Sequence, residues 1–178
     1  IYDKKIEHLK QKTNGKLIVK EYPTASASTI HFKSLINELN LKKGFVPDVI
    51  MVDYLNICAS SRIKPGNGVN SYTYVKAIAE ELRGLAVEHN VPVWSATQLT
   101  RGGYGSSDPD LTDTSESFGL PATADFFVAL ITNEQLEQLN QIMVKQLKNR
   151  YADPSRHKRD IIGVDKTKMS LYDVRSEE

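Results

Sequence analysis

The chain lacks several features that would place it in a broad class of protein. It has one cysteine, Cys58, in 178 residues, so it cannot form an internal disulfide bond, which fits a reducing compartment. No apolar run is long enough to span a bilayer, and no signal-peptide pattern opens the chain. The formal net charge is +1, which excludes a whole-chain field that would attract nucleic acid or a membrane. Any nucleic-acid site must therefore be local.

The first third of the sequence alternates between helix and strand patterns. Residues 1–12 and the segment that follows "TASAST" have apolar side chains at helical spacing. The segment "KLIVKEYP", residues 16–23, predicts a short strand that Pro23 ends. The run "DVIMVDYLNI", residues 48–57, is continuously apolar up to Asp53 and beyond it. Such a run is typical of a strand that is buried on both faces of a parallel sheet.

The alternation continues to the end of the chain. Residues 71–90 predict a helix with one apolar stripe, and "VPVWSATQ" predicts the next strand. Residues 99–115 are rich in Gly, Ser and Asp, so we predict a mobile loop there. The segments "ADFFVALIT", "NQIMVKQLKN" and "DIIGVDKTKMSLYDV" predict further strands. The sequence therefore predicts one α/β domain over residues 1–178, with right-handed βαβ units and a mostly parallel sheet.

Two polar side chains stand where predicted neighbouring strands end. Asp53 ends the first of these strands and Gln98 ends the second, and the helix at 71–90 joins them. Ligands of parallel sheets bind beyond the carboxyl ends of the strands, so we expect both side chains to face one crevice. Asp53 is either a cap of a turn or a magnesium ligand in a nucleotide site. Gln98 either satisfies backbone groups or senses a terminal phosphate through its amide.

Four segments in a fixed order resemble the replicative helicases of the DnaB family. They are "PDVIMVDYLNI", "VKAIAEELRGLAVEHNVPVWSATQLTR", "ESFGLPATADFFVALI" and "KQLKNR", which together cover about residues 46–150. The sequence "KNRYADPS" replaces the glycine-rich turn of bacterial members and is more similar to the T-even phage type. The resemblance implies a RecA-like P-loop NTPase core, with a mostly parallel sheet flanked by helices and antiparallel C-terminal strands.

The resemblance also implies roles in ATP hydrolysis for individual residues. Asp53 matches the acid that coordinates Mg²⁺, and Gln98 matches the phosphate sensor that is coupled to DNA. Lys148 and Arg150, in "KNR", match a pair that reaches into the nucleotide site of a neighbouring subunit. A guanidinium group there would stabilise charge on the transferred phosphoryl group and make hydrolysis depend on assembly. Without the resemblance, solvated charges at a strand end are the simpler interpretation of this pair.

The segments that match the family's contacts with single-stranded DNA contain Arg101, Ser115, Glu116 and Ser117. Bacterial members have an arginine just before the glutamate, where this chain has Ser115, so the basic contact of the family is in doubt here. Hydroxyl groups and backbone amides bind phosphates without sequence preference, as a translocating motor requires.

A phosphate-binding loop is absent from the sequence. The motif Gly-x-x-x-x-Gly-Lys-Ser/Thr occurs nowhere in the chain, and in the family the loop precedes the region that matches residue 1. We therefore expect a truncated motor domain that is inactive alone, in which the P-loop strand is missing. A RecA-like recombinase and an assembly or DNA-binding domain without catalysis are the alternatives.

The partners and location that we expect also come from the resemblance. It implies ATP and Mg²⁺ as cofactors, a homohexameric ring, single-stranded DNA, and a primase and helicase loader. It implies the cytoplasm of a bacterial host as the location and no membrane contact.

Overall fold

The structure is a computed structural model that describes residues 4–8, 15–64, 66, 69–98, 119–153 and 158–174. The described residues 4–8 are helical and belong to α1. The elements that follow, in chain order, are α2 (Thr29–Lys43), β1 (Ile50–Val52), a short 3₁₀ helix (Leu55–Ile57), α3 (Ser71–His89), β2 (Val93–Ser95), α4 (Gly119–Thr123), β3 (Phe126–Ile131), α5 (Glu134–Gln138), β4 (Gln141–Asn149), β5 (Arg159–Asp165) and β6 (Ser170–Asp173). The predicted α/β class is confirmed.

The helix α3 connects two parallel strands, as the sequence predicts. β1 and β2 pair in parallel with Ile50 opposite Val93 and Val52 opposite Ser95. The Asn70 side chain begins α3 by accepting a hydrogen bond from the Thr73 N–H at 2.7 Å. The buried residues of α3 form one stripe, namely Val75, Ala77, Ile78, Ala79, Leu82 and Leu85.

The core forms between α3, the 3₁₀ helix and α4. Ile78 is 2% exposed and packs in a cluster with Leu55 and Leu120. Cys58 belongs to the same cluster and is 8% exposed, and burial raises the pKa of its thiol. The cysteine therefore acts as a small apolar residue, which is the role that its position after an apolar run predicts.

The C-terminal strands form an antiparallel sheet in the order β3-β4-β5-β6. β4 pairs with both β3 and β5, so it lies inside this sheet. The predicted stretch 160–174 contains two strands, β5 and β6, because the chain turns between Asp165 and Ser170. Gly163 lies opposite Tyr172, whose ring covers it so closely that a side chain at 163 would collide with the ring. The expected antiparallel C-terminal strands are confirmed.

Two predictions about strands are wrong. The segment at residues 16–23 is not a strand, and it leaves Leu17 87% exposed and Val19 82% exposed. β1 is three residues long rather than ten, and Met51 is 79% exposed, so β1 is not buried on both faces. In the part of the chain that the structure describes, β1 has one neighbouring strand, and the face that carries Met51 is largely exposed. An apolar run predicts burial only where a second layer is available.

Within these described ranges, no helix is both long enough and apolar enough to cross a bilayer.

Candidate functional site: two strand ends and a cation cluster

Hydrogen bonds join the segments that follow β1 and β2. The Gln98 amide donates a hydrogen bond to the Tyr54 hydroxyl at 3.4 Å, and the Thr97 hydroxyl donates to the Asn56 side chain at 2.9 Å. The Leu55 N–H donates to the Ala96 carbonyl at 3.2 Å. These contacts hold the segment after β1 against the segment after β2. The expected neighbourhood of the two strand ends is therefore confirmed, although β2 ends at Ser95, before Gln98.

Asp53 carries an exposed carboxylate directly after β1. Its side chain is exposed, so the acid is not buried as a strand enclosed on both faces would require, because β1 ends one residue earlier, at Val52. The Asp53–Tyr54 peptide bond is cis. Neither hydrogen bond nor ion pair joins the Asp53 carboxylate to another described residue.

The exposed carboxylate of Asp53 fits a magnesium ion that is also bound by phosphate groups. No group of three or more His, Cys, Asp or Glu side chains that could hold a metal occurs among the described residues. Mg²⁺ is commonly bound by one or two carboxylates together with water and substrate phosphates. A single open carboxylate at Asp53 matches that mode and does not match a site built from protein ligands alone.

Three basic side chains converge on the last turn of α4, and we call Arg83, Lys148 and Arg150 the α4 cation cluster. The Lys148 ammonium donates to the Pro121 carbonyl at 2.7 Å and the Ala122 carbonyl at 3.2 Å. The Arg150 guanidinium donates to the Ala122 carbonyl at 2.8 Å. Cations are favoured at the carbonyl end of a helical turn. Lys148 and Arg150 are therefore hydrogen-bonded to the protein, and Arg150 is exposed to solvent as well.

The Asp125 carboxylate binds to the α4 cation cluster. One of its oxygens, Oδ1, accepts a hydrogen bond from Arg83 at 2.7 Å and another from Arg150 at 2.7 Å. The hydrogen bond and charge of Arg83, with those of Arg150, lower the pKa of Asp125. Burial, with the charge of Arg150, lowers the pKa of Lys148.

Sequence reasoning assigned no role to Asp125 and missed Arg83. Asp125 lies in "ESFGLPATADFFVALI", which is one of the four segments that carry the resemblance. Arg83 is 42 residues away from Asp125 in sequence and lies among the polar residues of an amphipathic helix. No local pattern distinguishes it from a solvated arginine.

A second buried charge fixes the loop that follows the 3₁₀ helix. The Glu81 carboxylate, whose side chain is 5% exposed, accepts hydrogen bonds from the Thr29 hydroxyl at 3.0 Å and the Ser61 N–H at 2.9 Å. The hydroxyls of Ser60 and Ser61 also donate to it. Burial alone would raise the pKa of Glu81, but the hydrogen bonds outweigh burial and lower the pKa to about 2. Glu81 thereby ties α2 and the loop at 58–62 to α3.

Glu81 makes the stability of this region depend on pH. Because its folded-state pKa lies below the ordinary value of 4.5, the stabilisation is complete above pH 4.5 and is lost as the pH falls toward 2. The size of the shift corresponds to about 3 kcal/mol. We expect Glu81→Gln to lower the free energy of unfolding at neutral pH, and to lower it less as the pH falls through 4. Urea unfolding of both proteins from pH 3 to pH 7 measures this difference. A difference that stays constant across this range would contradict the assignment.

Arg101, Ser115, Glu116 and Ser117, the residues that match DNA contacts of the resembled family, lie outside the described residues. Their assignment remains a prediction. Ser117 precedes the first residue of α4, Gly119, by two positions, so the segment leads directly into the helix that holds the α4 cation cluster.

Comparison with known proteins identifies curated relatives. The chain is 48% identical over 174 residues to a DnaB-like replicative helicase of Enterobacteria phage T4, and the match covers 97% of this chain and 36% of that protein. It is 27% identical over 135 residues to a probable replicative DNA helicase of Trieres chinensis, covering 69% of this chain and 29% of that protein. The chain thus spans about a third of the length of these relatives.

Solved structures share the fold. A solved ATPase domain superimposes with a TM-score of 0.69 at 19% identity, covering 84% of this chain and 52% of that one. A DnaB-like replicative helicase, solved in a study of its interactions with primase, superimposes with a TM-score of 0.71 at 20% identity, covering 86% of this chain and 36% of that one. The RecA-like architecture that the resemblance implies is confirmed.

The family model described as "DnaB-like helicase C terminal domain" matches residues 2–168, and the chain belongs to this family of helicases.

Proposed function

We propose that this chain is part of the motor of an ATP-driven helicase that translocates on single-stranded DNA and unwinds duplex DNA during replication. Membership of the DnaB-like helicase C-terminal domain family supports this proposal, as do two relatives that are named as replicative helicases. In this proposal the motor is a homohexameric ring that uses ATP and Mg²⁺. It works with a primase and a helicase loader in the cytoplasm of a bacterial host.

The contact between Gln98 and Tyr54 carries the proposal for the nucleotide site. It joins the residue after Asp53 to the segment that follows β2, which supports a site that Asp53 and Gln98 border together. In the proposed site Asp53 holds Mg²⁺ and Gln98 donates to the terminal phosphate or to the attacking water. When bound, ATP with Mg²⁺ supplies the phosphoryl group that is transferred to water. When the Gln98 amide moves toward the phosphate, its hydrogen bond to Tyr54 breaks. The segment after β2 therefore has two alternative positions in this proposal.

Lys148 and Arg150 act in the proposed mechanism on the nucleotide of a neighbouring subunit. Both lie at the end of β4 or just after it, and 43% of the Arg150 side chain is exposed. A guanidinium group stabilises the charge that spreads over the phosphoryl oxygens in the transition state. We call Arg150 in this role the arginine finger. Because the finger comes from the next subunit, hydrolysis requires an assembled ring.

The proposed path of single-stranded DNA runs along Arg101, Ser115, Glu116 and Ser117. Hydroxyl groups and backbone amides bind phosphates regardless of base sequence. The position of Ser115 to Ser117 just before α4 supports a connection from DNA to the finger residues. The Gln98 segment supplies a second connection, since Arg101 follows it by three residues.

The test of this proposal measures coupling between DNA and hydrolysis in the product of the full reading frame. We expect hydrolysis that requires Mg²⁺ and is stimulated by single-stranded DNA. In Gln98→Ala we expect the DNA-stimulated rate to fall about 10²-fold, the typical cost of removing one donor to a transition-state oxygen. DNA-independent hydrolysis should change less, because the sensor acts when DNA is present. Steady-state hydrolysis with and without DNA, and unwinding of a forked duplex, measure both effects.

The matched control is Gln138→Ala, which removes an exposed amide at the end of α5 and should leave both rates unchanged. A parent protein without Mg²⁺-dependent hydrolysis would contradict the proposed function. A Gln98→Ala protein that is stimulated by DNA like the parent would contradict the sensor role alone.

A further inference from the structure

The Asp125 carboxylate lies between two arginines from different parts of the fold. Arg83 belongs to α3 and Arg150 follows β4. Each donates one N–H to the same Oδ1 atom of Asp125 at 2.7 Å. A shared oxygen fixes the distance between the two guanidinium groups, so α3 determines where the Arg150 side chain lies.

Further contacts fix the orientation of each guanidinium group. Arg83 also donates to the Thr123 carbonyl at 2.8 Å, and Arg150 donates through its second amino group to the Ala122 carbonyl at 2.8 Å. The backbone N–H of Arg150 donates to the Asp125 carbonyl at 3.0 Å. A planar guanidinium that is bound through two of its nitrogens cannot rotate freely. Arg150 is therefore held in position and in rotation.

The α4 cation cluster keeps the capacity to bind an anion. Among the described residues, the one carboxylate that bonds to this cluster is Asp125, which bonds to Arg83 and Arg150, while Lys148 adds a third positive charge at the Pro121 carbonyl. The contacts given above use two of the five N–H donors of the Arg150 guanidinium. The side chains of Arg83 and Arg150 are 41% and 43% exposed. Excess positive charge, unused donors and exposure together suit a phosphate group that approaches from outside the subunit.

We propose that Asp125 and Arg83 are positioning residues, which hold the Arg150 guanidinium in the orientation that serves the nucleotide of the neighbouring subunit. This inference rests on the proposed trans role of Arg150. A finger that is already oriented gives up little freedom when it meets the transition state, and fixed charges act without reorganisation. Without Asp125, Arg150 would keep its charge but lose its orientation.

Mixed assembly distinguishes a positioning role from a purely structural one. In the product of the full reading frame, we expect Asp125→Ala to lower the kcat of DNA-stimulated hydrolysis about 10–100-fold, as small misplacements of a catalytic group do. The KM for ATP should change little, because Asp53 and Gln98 of the same subunit are intact. Mixing with Asp53→Asn subunits should restore activity, since these supply a correctly held finger. Mixing with Arg150→Ala subunits should not.

The double variant Asp125→Ala/Arg150→Ala gives an independent measurement. If Asp125 acts through Arg150, the double variant should hydrolyse ATP no more slowly than Arg150→Ala alone. Asp160→Ala, which removes an exposed carboxylate on β5, is the control and should match the parent. If Asp125→Ala does not assemble, Asp125→Asn and Arg83→Lys replace it. They retain an acceptor and a cation respectively, and should show the same complementation pattern with a smaller loss.

Each outcome decides the inference. A fully active Asp125→Ala protein beside an inactive Arg150→Ala protein overturns the positioning role and leaves the proposed function in place. A loss that neither mixture restores identifies Asp125 as a structural brace and overturns the inference as well. A fully active Arg150→Ala protein overturns the proposed trans mechanism and this inference with it.

Discussion

Arg150→Ala in the product of the full reading frame is expected to lower DNA-stimulated ATP hydrolysis about 10³-fold or more, the range that arginine fingers contribute to phosphoryl transfer. The variant loses the positive charge of the guanidinium group. Two hydrogen bonds hold this group just after β4, and part of its surface is exposed. Nucleotide binding should persist, because Asp53 and Gln98 of the same subunit are intact. Steady-state hydrolysis and binding of a fluorescent nucleotide measure the two effects separately.

Mixing experiments test whether Arg150 acts between subunits. A ring made from equal amounts of Arg150→Ala and Asp53→Asn subunits would contain intact composite sites at about a quarter of its interfaces, since each interface joins two different surfaces. We therefore expect partial recovery of hydrolysis from two inactive proteins. Arg159→Ala, which truncates an exposed arginine on β5, is the matched control and should retain full activity. No recovery on mixing would count against a shared site, and an active Arg150→Ala protein would remove the finger role altogether.

Asp53→Asn is expected to have the second largest effect, a loss of about 10²–10⁴-fold in hydrolysis, because metal stabilisation of the phosphoryl group is worth several kcal/mol. The amide keeps the shape of the side chain but is a poorer ligand for a hard cation than a carboxylate. Titration with Mg²⁺ should show that the variant requires more metal for its remaining activity. Asp48→Asn, an exposed acid before the opposite end of β1, should behave like the parent. If Asp53→Asn hydrolyses ATP with an unchanged requirement for Mg²⁺, Asp53 is a strand cap and not a ligand.

The sequence predicts those elements whose local pattern agrees with their surroundings. α3 has one apolar stripe and an asparagine cap, and its predicted bounds differ from the observed Ser71–His89 by one residue at the end. β3 and β4 appear where apolar runs predict them. The strand at 16–23 fails because pairing needs a neighbouring strand, which no local pattern can guarantee. β1 fails in length for a related reason, because the chain turns into the 3₁₀ helix just after Asp53.

The part of the candidate site that follows from sheet topology could be predicted from the sequence. The rule that ligands bind beyond the carboxyl ends of parallel strands selects Asp53 and Gln98, and the structure joins Gln98 to Tyr54, the residue after Asp53. The pairing of Lys148 and Arg150 came from resemblance alone. Asp125 and Arg83 were not predictable, since their contact joins residues 42 positions apart and depends on the packing of α3 against α4. Such contacts arise from tertiary structure and leave no periodic signal.

The exposed face of the small parallel sheet also has an optical consequence. Trp94 is the one tryptophan of the chain; it lies opposite Met51 in the register of β1 and β2. It is 52% exposed, and its ring meets Phe126 edge to face at 6.0 Å. Indole emission moves to shorter wavelength when water leaves the ring. Tryptophan emission from this chain therefore reports on a single place, the strand that leads to Gln98, and any segment or subunit that covers this face would shift that emission toward the blue.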